Sequence, residues 1–489
     1  MSTLEFRNTR FLGDDGLFDV MVDAGHVARI SPAGTSVGTS ASIDLDGRIL
    51  VPGLWDEHVH FTQWTIQQSR LDLGGTTGPD DVLERVRQEL GRAILPEGSV
   101  LTGFGFRDGT WADPPGLRAL DEVTGTAPVV LISADLHCAW MNSAAASRLG
   151  VQPDAFGLVR ETAWFGASQR LLEISPPTTA QFRAAAQAAA RRGIVGVVDF
   201  ENSDNLSQWT QRVADGVDSL RVEAAVWPQR LEAAIADGRR TGDLLDAGGL
   251  LTMGRLKVVV DGSLNTRTAL CWDPYPGLEG VHGCGVSTVS PDELRDLLVR
   301  AQAHGIRAAV HAIGDRANAE VIDIFEELGT GGTIEHAQLV GTDDFARFAR
   351  LGLVASVQPE HAMDDRDVAD RHWAGRTDRA FAFGSLHEAG VTLRFGSDAP
   401  VSPLDPWFAI SAATARSRDD RAPWHPEQRV PLEVALASSM RGRLRPATGD
   451  VADLAVLEAD PRSATPAALR SLPVAATLIA GRFTHTTLG

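Results

Sequence analysis

Eight short apolar runs, rich in β-branched residues, recur through the middle of the chain. They are LVPGL (50–54), IVGVVDF (194–200), LRVEAAVW (220–227), RLKVVVD (255–261), IRAAVH (306–311), GTIEH (332–336), LVASVQ (353–358) and VTLRFGSD (391–398). Helical patterns separate most of them. Parallel strands buried on both faces read as continuous apolar runs of this kind. Eight such βα units predict a TIM-type (β/α)8 barrel, with a doubly wound sheet as the alternative.

The helices between the strands carry their own signals. In SPDELRDLLVRAQAHG (290–305), Ser290 is a candidate N-cap, Pro291 occupies the first helical position and Glu293 completes a capping box. Leu294, Leu297, Leu298 and Ala301 form one apolar face, and Gly305 is a stop signal. ANAEVIDIFEELG (317–329) repeats the logic with Val321, Ile324, Phe325 and Leu328. Between the first two runs lies a stretch of about 62–177, too long for a βα loop. It is expected to be an insertion with strands of its own.

The two ends read differently. FDVMVDAGHVARIS (18–31) alternates around Asp23-Ala24-Gly25, and ASIDLDGRILVPG (41–53) around Asp46-Gly47. ADLAVLEADP (452–461) and VAATLIAGRFTH (474–485) resemble them. The expected organisation is a β-sandwich from residues 1–53 plus 430–489, and a barrel over 54–429 carrying the insertion.

Composition narrows the function classes. The 489 residues hold 45 basic and 64 acidic side chains, a net charge of −19, which disfavours nucleic acid and acidic membrane surfaces. No apolar run reaches the length of a membrane span, and MSTLEFRNTR lacks the apolar stretch of a secretory signal. A cytoplasmic protein acting on a small molecule is expected. Cys138, Cys271 and Cys284 show neither CxxC spacing nor a disulfide framework.

Of the 45 basic residues only Lys257 is lysine; the other 44 are arginine. Arginine replaces lysine on a solvated surface but not where an amine must lose its proton. Lys257 lies in the fourth run. Other chemistry-bearing residues also fall near the ends of runs: Asp56, Glu57, His58 and His60 after the first, His311 at the fifth, His336 at the sixth and Asp398 at the eighth. In a barrel the C-terminal strand ends carry the active site. Six potential ligands from five strands would converge there: His58, His60, Lys257, His311, His336 and Asp398. Imidazole and carboxylate together suit zinc or a similar divalent ion.

These residues sit in longer stretches that resemble the amidohydrolase superfamily, in particular the YtcJ-like branch (amidohydrolase family 3), which includes N-substituted formamide deformylases. The stretches are VPGLWDEHVHF (51–61), ADLHCAWMNSAA (134–145), RLKVVVDGSLNTRTA (255–269), VHAIGDRA (310–317), TIEHAQLV (333–340), VQPEHAMDD (357–365), LRFGSDAPVSP (393–403) and GDVADLAVLEADP (449–461). The resemblance implies a distorted (β/α)8 barrel with a composite β-sandwich from both termini and an insertion after the first barrel strand. It implies two divalent metals, zinc by preference. His58, His60 and Asp398 would hold one, and His311 and His336 the other. A CO2-derived carbamate on Lys257 would bridge them. It also implies a homodimer and substrate contacts from His137 and Asn142; His361, past the seventh run, is a further pocket candidate.

The implied activity is metal-dependent hydrolysis of an amide-type C–N bond (N-acyl, N-formyl or cyclic amide) by a metal-bound hydroxide. Asp398 would be the catalytic proton carrier, and Asp56 or Glu57 would orient a ligand imidazole. The alternatives are a deaminase, an ester or lactone hydrolase on the same barrel, or a non-catalytic barrel scaffold. Deaminases of this superfamily use a Glu near the fifth strand, where this chain has Asp315.

Overall fold

The computed structural model describes residues 3–35, 41–92, 98–107, 111–133, 138–278, 280 and 283–488. They form two compact units, one of residues 1–61 with 183–489 and one of residues 62–182.

An eight-stranded, all-parallel sheet forms the centre of the larger unit. Its strands, numbered here along the barrel, are strand 1 (Leu54–Val59), strand 2 (Ile194–Asp199), strand 3 (Arg221–Val226), strand 4 (Leu251–Val259), strand 5 (Ala308–Ala312), strand 6 (Gly332–His336), strand 7 (Val354–Val357) and strand 8 (Thr392–Phe395). Neighbours in sequence are neighbours in space, so the sheet curls into a nearly closed (β/α)8 barrel. A parallel bridge between Val59 and Ala399 joins its ends. There the Asp398 amide donates to the His58 carbonyl at 2.7 Å, and the His60 amide to the Ala399 carbonyl at 2.8 Å. The backbone contacts that close the barrel therefore lie at the candidate ligands themselves.

The helix expected after Ser290 spans Pro291–Ala303, and both hydrogen bonds of its capping box are present. The next helix spans Asp315–Leu328 and ends on Gly329 in the left-handed conformation. The first apolar run is read differently by the structure. Ile49–Pro52 pairs with Leu454–Leu457 in a terminal sheet, and barrel strand 1 starts only at Leu54. Pro52-Gly53 divides the run because proline supplies no amide donor and Gly53 sits where a Cβ would lie 2.2 Å from Val195.

Both chain ends form two four-stranded sheets. One orders His26–Pro32, Phe18–Asp23, Leu4–Thr9 and Ser42–Asp44; the other orders Arg482–Thr486, Val474–Ile479, Leu454–Leu457 and Ile49–Pro52. Ala24-Gly25 and Ala480-Gly481 turn their hairpins with positive φ at both positions, the twist that suits two-residue hairpins. Asp46-Gly47 has the same φ signs but sends the chain from one sheet to the other. Phe6, Val20, Leu50, Val456 and Leu478 share one core between the sheets.

In the smaller unit a five-stranded sheet runs Leu158–Arg160, Cys138–Met141, Val129–Ser133, Leu101–Phe106, Leu71–Asp72. Val129 and Leu131 face one core and Val130 and Ile132 the other, the alternation of a sheet covered on both faces. Trp140 and Trp164 are buried in these cores. Among the described residues no helix is long and apolar enough to cross a membrane.

Substituting Gly53→Ala overpacks the junction against Val195. It is expected to cost about 1–3 kcal/mol, read as a lowered thermal unfolding midpoint, with partial recovery in Gly53→Ala/Val195→Ala.

Candidate metal centre

The ends of strands 1, 4, 5, 6 and 8 bring the expected ligands to one place. One ligand atom each from His58, His336 and Asp398 lies within 4.8 Å of the others, and all three residues are buried. His58 and His60 are two apart on one strand and so share a face. Their Nε2 atoms approach the Asp398 Oδ1 at 3.6 and 3.3 Å. The Lys257 Nζ stands 3.5 Å from the His58 Nε2 and 4.5 Å from the centre of the Phe200 ring. The His311 and His336 rings meet edge-on with centroids 4.6 Å apart.

Two backbone features aim these side chains. His336 has φ 74° and Asp398 φ 55°. Neighbouring strand residues normally face opposite sides, and the left-handed conformation breaks that alternation. Such residues cost of order 1–3 kcal/mol each and cluster at functional sites.

The imidazole nitrogens are sorted by their neighbours. The His58 Nδ1 meets the Glu335 carboxylate at 2.7 Å, and the His336 Nδ1 meets the Gln358 Oε1 at 2.8 Å. Both rings therefore keep Nε2 for an ion. His311 is reversed: its Nε2 lies 3.3 Å from the Asp261 Oδ1, leaving Nδ1. Asp261 is fully buried and accepts the amides of Leu270, Ile313 and Gly314, which ties the loop after strand 4 to the loop after strand 5.

Electrostatics favour an added cation. Burial, reinforced by Lys257, holds the His58 imidazole well below its ordinary pKa; burial and His311 do the same for His336. Both rings are thus neutral donors at pH 7. Burial pushes the Lys257 amine down to about 8 against the pull of Glu335 and Asp398. Burial opposes charge on Asp398, yet His58 and His60 outweigh it and hold the carboxylate well below its usual range. His60 is correspondingly raised: burial opposes its charge, but the hydrogen bond to Asp398 prevails. Neutral imidazoles with free nitrogens around one ionised carboxylate form a donor set that fits a divalent metal. Imidazoles whose other nitrogen is held by a carboxylate or amide are the usual form of metal-binding histidine.

Other expectations met different geometry. Among the described residues, Asp56 and Glu57 make no hydrogen bond to an imidazole of the centre. Asp56 accepts the amides of His58 and Ser397, and burial pushes its pKa up to about 7; Glu57 pairs with Arg441. The side chains that do meet these rings are Glu335 and Gln358. Glu335 directly precedes His336, and strand alternation would place the two side chains on opposite faces. Asn142 caps the helix Ser143–Leu149 in the smaller unit. Its carbonyl accepts the Val129 and Ala145 amides, and its amide group donates to Thr124 and Ala127. His137 lies outside the described residues. His361 is buried, with its ring near-parallel to His336 at 6.4 Å and its Nε2 without a hydrogen-bond partner among the described residues.

The amidohydrolase family model matches residues 41–485. The chain belongs to the amidohydrolase family. Protein LONG AFTER FAR-RED 3 of Arabidopsis thaliana is 29% identical over 81% of this chain and 73% of its own length. Putative amidohydrolase YtcJ of Bacillus subtilis is 27% identical over 91% and 90%. N-substituted formamide deformylase of Arthrobacter pascens is 27% identical over 94% of each. Among solved structures, an uncharacterized metal-dependent hydrolase from Pyrococcus furiosus superposes with a TM-score of 0.78 at 25% identity, covering 94% of this chain and 99% of that one. Family and fold mark this amidohydrolase as a metal-dependent hydrolase.

The lowered pKa values of His58 and His336 carry a sign. Unfolded imidazoles titrate near 6.5, so below that pH the unfolded chain binds protons that these two rings refuse. Their contribution to stability is complete above that pH and lost below it. In metal-stripped protein, thermal unfolding followed from pH 7.5 to 5 should show a falling midpoint, and His336→Gln should flatten the fall.

Proposed function

We propose that this amidohydrolase cleaves an amide-type C–N bond of a small molecule, in an N-acyl, N-formyl or cyclic amide. The observation that carries the reading is Asp398. Its side chain, 13% exposed, stands against His58 and His60 at the end of strand 8. The likeness to an N-substituted formamide deformylase over nearly the whole chain supports the bond type.

His58, His60, Asp398, His311 and His336 would hold divalent metal, which we propose to be two zinc ions. A divalent ion supplies Lewis-acid polarisation of a carbonyl and lowers the pKa of water. We propose that Lys257 would carry a carbamate, whose oxygens would add to the donors for divalent metal. Its amine is buried, and among the described residues no carboxylate lies within salt-bridge distance of it. A neutral amine adds to CO2 through its lone pair, and the Nζ–C bond forms with loss of one proton. A guanidinium cannot do this.

Asp398 does the proton work. Its carboxylate would accept a proton from the attacking water and pass it to the departing nitrogen. His60 braces this carboxylate from one side through its Nε2, and the Asp398 amide bond to the His58 carbonyl fixes the backbone. Asp315, the acidic residue that follows the fifth strand, is committed elsewhere: it accepts from Arg379 at 2.7 Å and from the Trp272 amide at 3.0 Å.

Two variants test this. Lys257→Arg should lose most activity and lower the metal content per chain. Asp398→Asn should keep the fold but reduce kcat by a factor of 100 or more, on the order expected for loss of a proton carrier. A panel of N-formyl, N-acyl and cyclic amides with metal-loaded enzyme provides the rates; full activity and full metal in Lys257→Arg would remove the carbamate.

A further inference from the structure

Strand 6 brings a second acidic residue to the centre. Glu335 is 1% exposed. Its Oε2 lies 2.7 Å from the His58 Nδ1, and its Oε1 accepts the Thr333 hydroxyl at 2.6 Å. Both oxygens are thus engaged, one on strand 1 and one on its own strand. A carboxylate only accepts hydrogen bonds, so the shared proton sits on the His58 Nδ1, and Nε2 keeps its lone pair.

The other ligand ring is braced differently. The Gln358 Nε2 donates to the Ser356 carbonyl at 3.3 Å, which orients its Oε1 toward the His336 Nδ1 at 2.8 Å. His336 therefore leans on a neutral amide, whereas His58 leans on a full charge. An imidazole hydrogen-bonded to a carboxylate is the more basic donor.

We propose that Glu335 is a positioning residue that fixes the tautomer and orientation of His58 and strengthens it as a metal donor, with Thr333 holding Glu335 in place. This rests on the metal assignment given above. Glu335→Gln keeps the size and an acceptor oxygen but removes the charge; Glu335→Ala removes the brace. Thr333→Val leaves the carboxylate but frees one of its oxygens.

The test is metal affinity rather than turnover. Cobalt(II) or zinc is titrated into stripped protein against a chelator, the visible spectrum of the cobalt form is recorded, and the unfolding midpoint of the metal-free protein checks the fold. Glu335→Gln should bind about tenfold more weakly and Glu335→Ala up to about a hundredfold, with an altered cobalt spectrum. Thr333→Val should fall between wild type and Glu335→Gln. Should Glu335→Ala not fold, Glu335→Gln decides. Wild-type affinity in the folded Glu335 variants, with affinity lost in His58→Ala, would overturn the role of Glu335 alone. Undiminished affinity in His58→Ala would overturn the metal assignment beneath it.

Discussion

Four imidazoles and one primary amine gather near the Asp398 carboxylate at the C-terminal ends of the barrel strands, and burial keeps most of their surface from water. In bulk solution such bases would share out protons. Here the cost of burying charge keeps His58 and His336 neutral and depresses Lys257, while Asp398 stays ionised between His58 and His60. The neutral His58 and His336 rings beside the ionised Asp398 carboxylate offer lone pairs that suit a divalent cation. The bridge that closes the barrel runs through the same residues, because the Asp398 amide bonds to the His58 carbonyl. Barrel closure and ligand convergence are thus one structural event.

The rest of the unit serves that geometry. Asp261 secures two loops through three backbone amides and turns His311 so that its Nδ1 remains free. Asp56 ties strand 1 to the backbone just ahead of Asp398 through the Ser397 amide. The left-handed backbone at His336 and Asp398 is strain stored where side chains must converge. The braces on the Nδ1 atoms of His58 and His336 leave both Nε2 atoms directed to a common point.

Much of this was legible in the residues alone. The eight apolar runs announce parallel strands because such strands bury both faces, and five of the runs carry or closely precede a residue that can bind metal or carry a proton. The capping box at Ser290 and the stop at Gly329 are local chemistry that needs no tertiary knowledge. A lysine retained where the other 44 basic residues are arginine singles out position 257.

What stayed hidden depends on contacts across sequence distance or on backbone conformation. Glu335 and Gln358 lie 277 and 22 positions from the rings they brace. Strand alternation argues against Glu335 and His336 acting together, and only the positive φ at His336 reconciles them. Asn142 looked available for a ligand, but a helix cap with a second strand behind it uses both ends of its amide. The first apolar run straddled two sheets, and its division at Pro52-Gly53 followed from Val195 crowding the turn.

The central claim is that Lys257 becomes a CO2 adduct shared by a pair of ions. Crystals grown with bicarbonate and zinc, with data collected on both sides of the zinc edge, measure this directly. The account predicts two anomalous peaks flanked by His58, His60, His311, His336 and Asp398, with density extending beyond the Lys257 Nζ between them. A bare lysine side chain with no anomalous peak beside these residues in zinc-saturated crystals would contradict it.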